Sequence, residues 1–276
     1  DGRLFVTLGD RFSRKDAAQK LDNHLGKIVR IEPDGRVPAD NPFVSTPGAR
    51  PEIWSLGHRN VQGAALHPAT GELWVIEHGP QGGDELNRVL PGRNYGWPLV
   101  TYGRNYGTGT RIGEEGPKPG FEQPLYWWVP VSVAPSGMAF LTSDRYPGWQ
   151  GSLFIGTLRA QTLLRLQLDG TRVVKEDRLL THLDERLRDV RQGPDGLLYL
   201  LTDNTDGRLL RLEPWDRLLC QPPGCSERGL ELAMPPRAAV APAVRPGAAT
   251  PPARTTTPTA RRPAARAARR RRRRRR

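Results

Sequence analysis

The most regular feature of the chain is a five-residue pattern that occurs four times: glycine, any residue, leucine, an aromatic residue and an aliphatic residue. A second apolar run containing an arginine follows each copy, and turn-forming Gly, Pro and Asp residues separate the runs. Short apolar segments between turn signals are typical of β-strands. The copies of this Gly-x-Leu pattern are Gly2–Val6, Gly71–Val75, Gly151–Ile155 and Gly196–Leu200, and the second runs are Ile28–Ile31, Leu86–Val89, Leu163–Leu166 and Leu209–Leu212.

Repetition of a strand-turn-strand unit predicts an all-β protein and favours a β-propeller, in which each blade is a small antiparallel sheet. The leading glycines are 69, 80 and 45 residues apart, so the first two intervals have room for inserted loops or for a blade with a degenerate pattern. A β-sandwich is the alternative architecture. Because loops on a rigid scaffold carry most binding residues, the residues after each copy are the first candidates for chemistry.

Charge is distributed unevenly along the 276 residues, which have a formal net charge of +13. Residues 1–213 contain 26 basic and 26 acidic side chains, whereas residues 214–276 contain 16 arginines and three acids. The whole chain is therefore not one basic domain. We expect a folded domain over residues 1–214 and a low-complexity, disordered Arg/Pro/Ala-rich tail over residues 215–276. The tail ends in the arginine run Arg269–Arg276, which could bind polyanions without reading a nucleic-acid sequence.

Both cysteines, Cys220 and Cys225, lie in that tail, so residues 1–214 have no disulfide, no cysteine-ligated zinc and no thiol nucleophile. No apolar run approaches the roughly 18–20 residues that a membrane span needs. The opening residues Asp1–Phe5 lack the basic and apolar regions of a signal peptide, and we expect them to belong to the interior of a domain.

Two polar segments are candidates for ligand chemistry. The loop Glu77–Glu85 combines glycines and a proline with two adjacent carboxylates, which suits a calcium ion bound by main-chain carbonyls or, equally, a plain glycine turn. Upstream, Arg59 and Asn60 lie between two turns, where they either contact an anionic or carbonyl-bearing ligand or form a structural corner.

Arginines and aromatic residues form a second group of candidates. Arg186 and Arg188 alternate along a predicted strand, so their side chains share one face. With Arg159, they indicate either an anionic ligand or a solvated edge. The pair Trp127–Trp128 precedes an extended segment and could stack on a flat ligand, although a single aromatic residue is more often part of a core.

From Leu8 to Pro214 the sequence resembles the soluble pyrroloquinoline-quinone (PQQ)-dependent glucose and aldose sugar dehydrogenases, more closely the bacterial aldose type. The resemblance implies a six-bladed propeller, of which this chain holds about four blades and is truncated at its amino end. It rests on several long motifs in the same order. These are HLGKIVRI (His24–Ile31), PEIWSLGHRNVQG (Pro51–Gly63), LWVIEHGPQGGDELN (Leu73–Asn87), NYGWP (Asn94–Pro98), VAPSGM (Val133–Met138) and RLRDVRQGPDGLLYLLTD (Arg186–Asp203).

The resemblance also implies roles for particular residues around the cofactor. Carbonyl groups of Gly79 and Pro80 would hold the calcium ion that binds PQQ. His78 stands beside the cofactor where many relatives carry Gln. Arg59, as a catalytic residue, and Asn60 would contact the quinone and the sugar.

Further residues follow from the same resemblance. Arg186 and Arg188 would pair with carboxylates of PQQ, and Arg159 occupies a position that relatives fill with Lys. Trp128 and Ser132 lie in the loop that faces the cofactor. A second, structural calcium ion would be held by two ligands, Glu85 and the carbonyl of Tyr95.

The implied reaction is oxidation of the C1 hydroxyl of an aldose to a lactone, with a histidine as proton acceptor and an electron acceptor that is unknown. In the family this histidine precedes the strand that matches Asp1–Asp10, so we expect this chain to lack it and to be inactive. The five histidines here, none of them in the family motif, are His24, His58, His67, His78 and His182.

The resemblance further implies a periplasmic or secreted location and no sequence-specific nucleic-acid partner. Two other functions compete with the dehydrogenase. One is a non-catalytic propeller that binds carbohydrate or a protein partner. The other is a polyanion-binding protein that acts through its arginine tail.

Overall fold

A computed structural model describes residues 2–214 of the chain. Within this range the regular structure is almost entirely β, since the other elements are two short 3₁₀ segments, Lys15–Gln19 and Thr181–Leu183. The prediction of an all-β fold is confirmed. The strands are β1 Leu4–Leu8, β2 Lys27–Ile31, β3 Ile53–Leu56, β4 Val61–Leu66, β5 Leu73–Glu77, β6 Asp84–Val89, β7 Tyr126–Trp128, β8 Pro135–Phe140, β9 Leu153–Thr157, β10 Leu163–Asp169, β11 Arg172–Leu179, β12 Leu187–Gln192, β13 Leu198–Thr202 and β14 Leu209–Leu212.

The strands form four antiparallel sheets with the spatial orders β1-β2-β3, β4-β5-β6-β7, β8-β9-β10-β11 and β12-β13-β14. Copies of the Gly-x-Leu pattern form β1, β5, β9 and β13, and the second apolar runs form β2, β6, β10 and β14. The sequence repeat is therefore a structural repeat, one copy in each sheet. Strand β8 packs against both β4 and β12, so the first strands of the second, third and fourth sheets are neighbours, as they are around the axis of a propeller.

Hydrophobic clusters lie between successive sheets and explain why the Gly-x-Leu strands are apolar at nearly every position. Side chains of a strand alternate between its two faces, and each central sheet is covered on both faces. In β5, Val75 packs toward the first sheet while Trp74 and Ile76 pack toward the third. In β9, Phe154 belongs to the cluster shared with the fourth sheet, whereas Ile155 faces the second.

Strand pairing brings the candidate loops to one end of the sheets. We call β4, β8 and β12 the inner strands of their sheets. Each of them starts beside the end of the Gly-x-Leu strand with which it pairs. The three residue pairs are Val61 with Glu77, Pro135 with Thr157 and Leu187 with Thr202. The segments that enter β4, β8 and β12 therefore lie next to the loops that leave β5, β9 and β13. This end of the sheets is where the candidate residues were predicted to lie.

The predicted boundary at residue 214 and the predicted disorder of residues 215–276 concern a part of the chain outside the described residues. Among residues 2–214, no helix has the length and apolar character needed to cross a membrane.

Candidate cofactor and metal site

The loop between β5 and β6 is folded so tightly that it accepts only glycine at several positions. A Cβ atom added to Gly79 would lie 2.2 Å from the carbonyl oxygens of both Gly82 and Gly83. Gly82 and Gly83 have φ values of +72° and +69°, a region that side-chain-bearing residues rarely adopt. At Gly103, an added Cβ would meet the ring of Pro80 at 2.3 Å. The glycines therefore allow the main chain to approach itself closely here.

Asp84 fixes this loop to the segment that enters β8. Its buried carboxylate accepts a hydrogen bond from the Gly79 N–H at 3.0 Å through Oδ1. Its Oδ2 accepts three more, from the Ser132 hydroxyl at 2.6 Å and from the main-chain N–H groups of Val133 and Ala134 at 2.8 and 2.9 Å. Four such bonds to one carboxylate define the relative position of two loops.

The carbonyl groups of Gly79 and Pro80 accept no hydrogen bond from any of the described residues. Both residues are buried, and buried carbonyls are normally paired. In residues 2–214 there is also no group of three or more His, Cys, Asp or Glu side chains that could hold a metal. A cation at this loop would therefore depend on main-chain oxygens, which calcium readily accepts. The loop fits the calcium ion predicted for it.

Arg59 lies beside the glycine loop. Its guanidinium donates to the carbonyl of His78 at 2.9 Å and to the hydroxyl of Tyr106 at 3.4 Å, and it stacks 5.4 Å from the ring centre of Trp97. The main chain of Asn60 is part of the same arrangement, since its carbonyl accepts the His78 N–H at 3.0 Å. Tyr106 was not identified from the sequence, because it lies in a long connection without any pattern.

His78 is tied to the segment that enters β8 by a 2.7 Å hydrogen bond from Nε2 to the carbonyl of Pro135. Burial lowers the pKa of His78; the charge of Asp84 and the bond to Pro135 oppose this, while the charges of Arg59 and Arg188 lower the pKa further. The neutral imidazole is thus favoured near pH 7. Two guanidiniums that are distant in sequence act on this one ring, so the predicted site residues share one neighbourhood.

Arg186 and Arg188 converge, as their alternation predicted, but they converge on Asp203. Nε and Nη2 of Arg186 bond Oδ2 of Asp203 at 2.8 and 2.7 Å, and the same atoms of Arg188 bond Oδ1 at 3.1 and 3.0 Å. These bonds lower the pKa of Asp203, which stays ionised. We call these three residues the guanidinium clamp.

Of the remaining predicted contacts, Arg159 and Trp128 have opposite environments. Arg159 is exposed at the end of β9, and its guanidinium pairs with no described residue. Trp128 is 5% exposed and belongs to the cluster between the second and third sheets, and its indole N–H donates to Glu176 at 2.8 Å. Because β7 turns this face inward, the Trp128 side chain is part of the core, contrary to the cofactor contact that the resemblance implied.

A cavity of about 10 Å³, lined by Glu77, Glu85, Tyr95 and Gly57 among others, adjoins the glycine loop. This volume suits one water molecule or one monatomic ion. Burial raises the pKa of Glu85 well above its ordinary value, and the negative charges of Glu77 and Asp84 raise it further. Glu85 has no cationic partner among the described residues, and the Tyr95 carbonyl accepts no hydrogen bond from them. A divalent cation would relieve this repulsion, so the site fits the second predicted calcium ion.

A buried network that was not identified from the sequence supports Arg59. His58, with no exposed surface, lies 3.0 Å through Nδ1 from Oε1 of Glu77 and stacks on Tyr95 at 4.6 Å. Glu77 also accepts the Arg59 N–H at 2.7 Å and the Asn87 side-chain amide at 3.0 Å. Burial alone would raise the pKa of Glu77, but the charge of His58 and these hydrogen bonds lower it.

Comparisons with known proteins agree with this architecture. The profile of the Glucose / Sorbosone dehydrogenase family matches residues 1–211. The aldose sugar dehydrogenase YliI of Escherichia coli (strain K12) is 48% identical over 215 residues, which cover 77% of this chain and 57% of that protein. The chain therefore spans little more than half the length of this relative.

Solved structures give the same result. A crystal structure of glucose dehydrogenase matches with 53% identity and a TM-score of 0.75, covering 78% of this chain and 62% of that one. The PQQ-bound form of aldose sugar dehydrogenase from Streptomyces coelicolor matches with 34% identity and a TM-score of 0.61, covering 76% of this chain and 58% of that one. By its profile and by these relatives, the chain belongs to the glucose/sorbosone dehydrogenase family.

Proposed function

We propose that this chain forms the greater part of the cofactor site of a PQQ-dependent aldose dehydrogenase, which oxidises the C1 hydroxyl of an aldose to a lactone. The observation that carries the proposal is the glycine loop, whose two unpaired carbonyls lie beside Arg59 and within the electrostatic reach of Arg188. The relatives support it, because one of them binds PQQ and another is named as an aldose sugar dehydrogenase.

The proposed roles follow the chemistry of each group. Carbonyls of Gly79 and Pro80 would ligate a calcium ion, and PQQ with that ion would supply the two-electron oxidant and a Lewis acid. Arg186 and Arg188, with the unpaired Arg159, would bind carboxylates of the cofactor. These side chains fix the orientation of the ligand.

At the other end of the site, Arg59 and Asn60 would contact the quinone and the sugar. The guanidinium of Arg59 is held by the His78 carbonyl and by Trp97, so its position does not depend on the ligand. Because guanidinium stays protonated at working pH, Arg59 would stabilise negative charge rather than accept a proton. Ser132 would act indirectly, since its hydroxyl bonds Asp84.

The second calcium ion, at Glu85 and Tyr95, would have a structural role. Its cavity adjoins the glycine loop and contains the carboxylate of Glu77, which bonds the main chain of Arg59. An ion here would neutralise two neighbouring carboxylates and stabilise the segment that presents Arg59. A periplasmic or secreted location belongs to the same proposal and rests on the resemblance alone.

Reconstitution tests the function. The chain is mixed with PQQ and calcium, binding is followed by cofactor absorbance, and dye reduction is measured with a panel of aldoses. Arg188→Ala should weaken PQQ binding at least about tenfold, because an ion-paired hydrogen bond contributes roughly 1.5–3 kcal/mol. Arg172→Ala is the matched control, since Arg172 is an exposed arginine that forms an ion pair with Asp169 at the turn between β10 and β11. Absence of calcium-dependent PQQ binding would contradict the proposal, whatever the dye assay shows.

A further inference from the structure

In the guanidinium clamp, the single carboxylate of Asp203 bridges two arginine side chains. Asp203 accepts four hydrogen bonds of 2.7 to 3.1 Å, two from each arginine, and each arginine uses one carboxylate oxygen. The arginine side chains are 47% and 44% exposed, so solvent competes for them and packing does little to restrain them. Among the described residues, the carboxylate of Asp203 is therefore the main restraint on this pair.

Asp203 also keeps two like charges together. Two guanidiniums bound to one carboxylate repel each other, and each would lose considerable rotamer entropy on binding a ligand. The carboxylate lowers the net charge of the clamp from two positive charges to one. It occupies Nε and one Nη2 hydrogen of each arginine, and it leaves Nη1 and the second Nη2 hydrogen available.

We propose that Asp203 is a positioning residue that orders Arg186 and Arg188 for the carboxylates of an anionic cofactor. The inference rests on the proposed function for the identity of that ligand, but the ordering itself is a property of the free protein. Asp203 follows directly after β13, so it belongs to the same set of loops that carries the rest of the site.

Positioning and simple electrostatics predict opposite effects of removing this carboxylate. If the clamp acted only through its charge, Asp203→Asn would raise the local positive charge and tighten binding of an anion. If Asp203 orders the two arginines, the same variant should weaken binding in spite of the extra charge. The direction of the change therefore distinguishes the two explanations.

The first experiment measures the dissociation constant of PQQ for the full chain in calcium buffer at several salt concentrations. We expect Asp203→Asn to bind about tenfold more weakly, because two rotamer-rich side chains must then be ordered by the ligand. Asp203→Glu should recover part of the affinity. Asp169→Asn, which removes an exposed carboxylate paired with Arg172, should change nothing. Equal or tighter binding by Asp203→Asn would overturn the inference.

The second experiment needs no ligand and separates this inference from the proposed function. Nitrogen-15 relaxation of the Arg186 and Arg188 Nε–H groups is compared between the wild-type chain and Asp203→Asn. Restricted Nε–H groups that become mobile in the variant support the positioning role even if PQQ does not bind. Unchanged order parameters in a variant with a wild-type melting temperature would refute it.

Discussion

The effect of Glu85→Gln on the stability of the fold should change sign when calcium is added. Without calcium, the partly buried Glu85 carboxyl lies near the charges of Glu77 and Asp84, and desolvation with this repulsion raises its pKa. Glutamine resembles the protonated acid and removes the repulsion, so Glu85→Gln should be at least as stable as the wild type. With calcium, the wild-type carboxylate gains a ligand that glutamine binds much more weakly.

The size of the effect follows from mass action. An ion present at about 100 times its dissociation constant stabilises the native state by about 2.7 kcal/mol. For a domain of roughly 150–250 residues, 1 kcal/mol shifts the melting temperature by about 2–4 °C, which gives a rise of about 5–11 °C in the wild type. The variant should show little of this rise.

Thermal unfolding in chelator and in a calcium series, without PQQ, measures both effects. Glu72→Gln is the matched control, because Glu72 is a partly exposed acid whose ion pair with Arg88 lies outside the cavity. The reasoning is refuted if Glu85→Gln keeps the full calcium response, or if it unfolds well below the wild type in chelator.

Three further predictions concern the scaffold of the site. Asp84→Asn should cost about 2–4 kcal/mol in chemical denaturation and should weaken PQQ binding, because the amide cannot accept all four hydrogen bonds of the carboxylate. Gly79→Ala should abolish calcium-dependent PQQ binding in a titration, whereas Gly35→Ala, at an open turn, should leave it intact. Lys27 donates to three main-chain carbonyls, and burial lowers its pKa to about 8. The unfolded state therefore binds more protons between about pH 8 and 10.5, so stability should rise with pH there, and Lys27→Met should remove that rise.

The fold was predictable where the sequence carried a repeated pattern. Strands β5 and β9 are buried on both faces, which accounts for their continuous apolar pattern. Strands β1 and β13 carry the same pattern but expose some of their apolar side chains, among them Leu4, Val6 and Leu201. The inner strands β4 and β8 were harder to identify, because Val61–Leu66 and Pro135–Phe140 contain small residues at close approaches. Gly63, for example, faces the Ser136 carbonyl, 2.7 Å from where a Cβ would lie. Such positions are determined by neighbouring sheets, which the sequence pattern does not reveal.

The sequence repeat predicted which loops come together at one end of the sheets, but it did not predict the direction of every side chain. Trp127 and Trp128 are adjacent in β7, yet the first is 39% exposed and the second 5%. Neighbouring residues of a strand face opposite ways, and only the pairing of β7 with β6 decides which tryptophan is inside. Asp203 could have been suspected, because it follows a Gly-x-Leu strand directly. Its role required the pairing of β12 with β13, which brings it to both arginines.

The buried network of Ser55, His58 and Glu77 has the distances of a catalytic triad but is closed to substrate. Ser55 Oγ lies 2.9 Å from His58 Nε2, and His58 Nδ1 lies 3.0 Å from Glu77, which is the order of groups that activates a nucleophile in hydrolases. Ser55 and His58, however, have no exposed surface, and the second carboxylate oxygen of Glu77 accepts a hydrogen bond from the Arg59 N–H. No substrate can reach the hydroxyl. The arrangement instead holds the main chain of Arg59 rigidly, so a disruption such as His58→Ala would act on cofactor affinity through the position of Arg59.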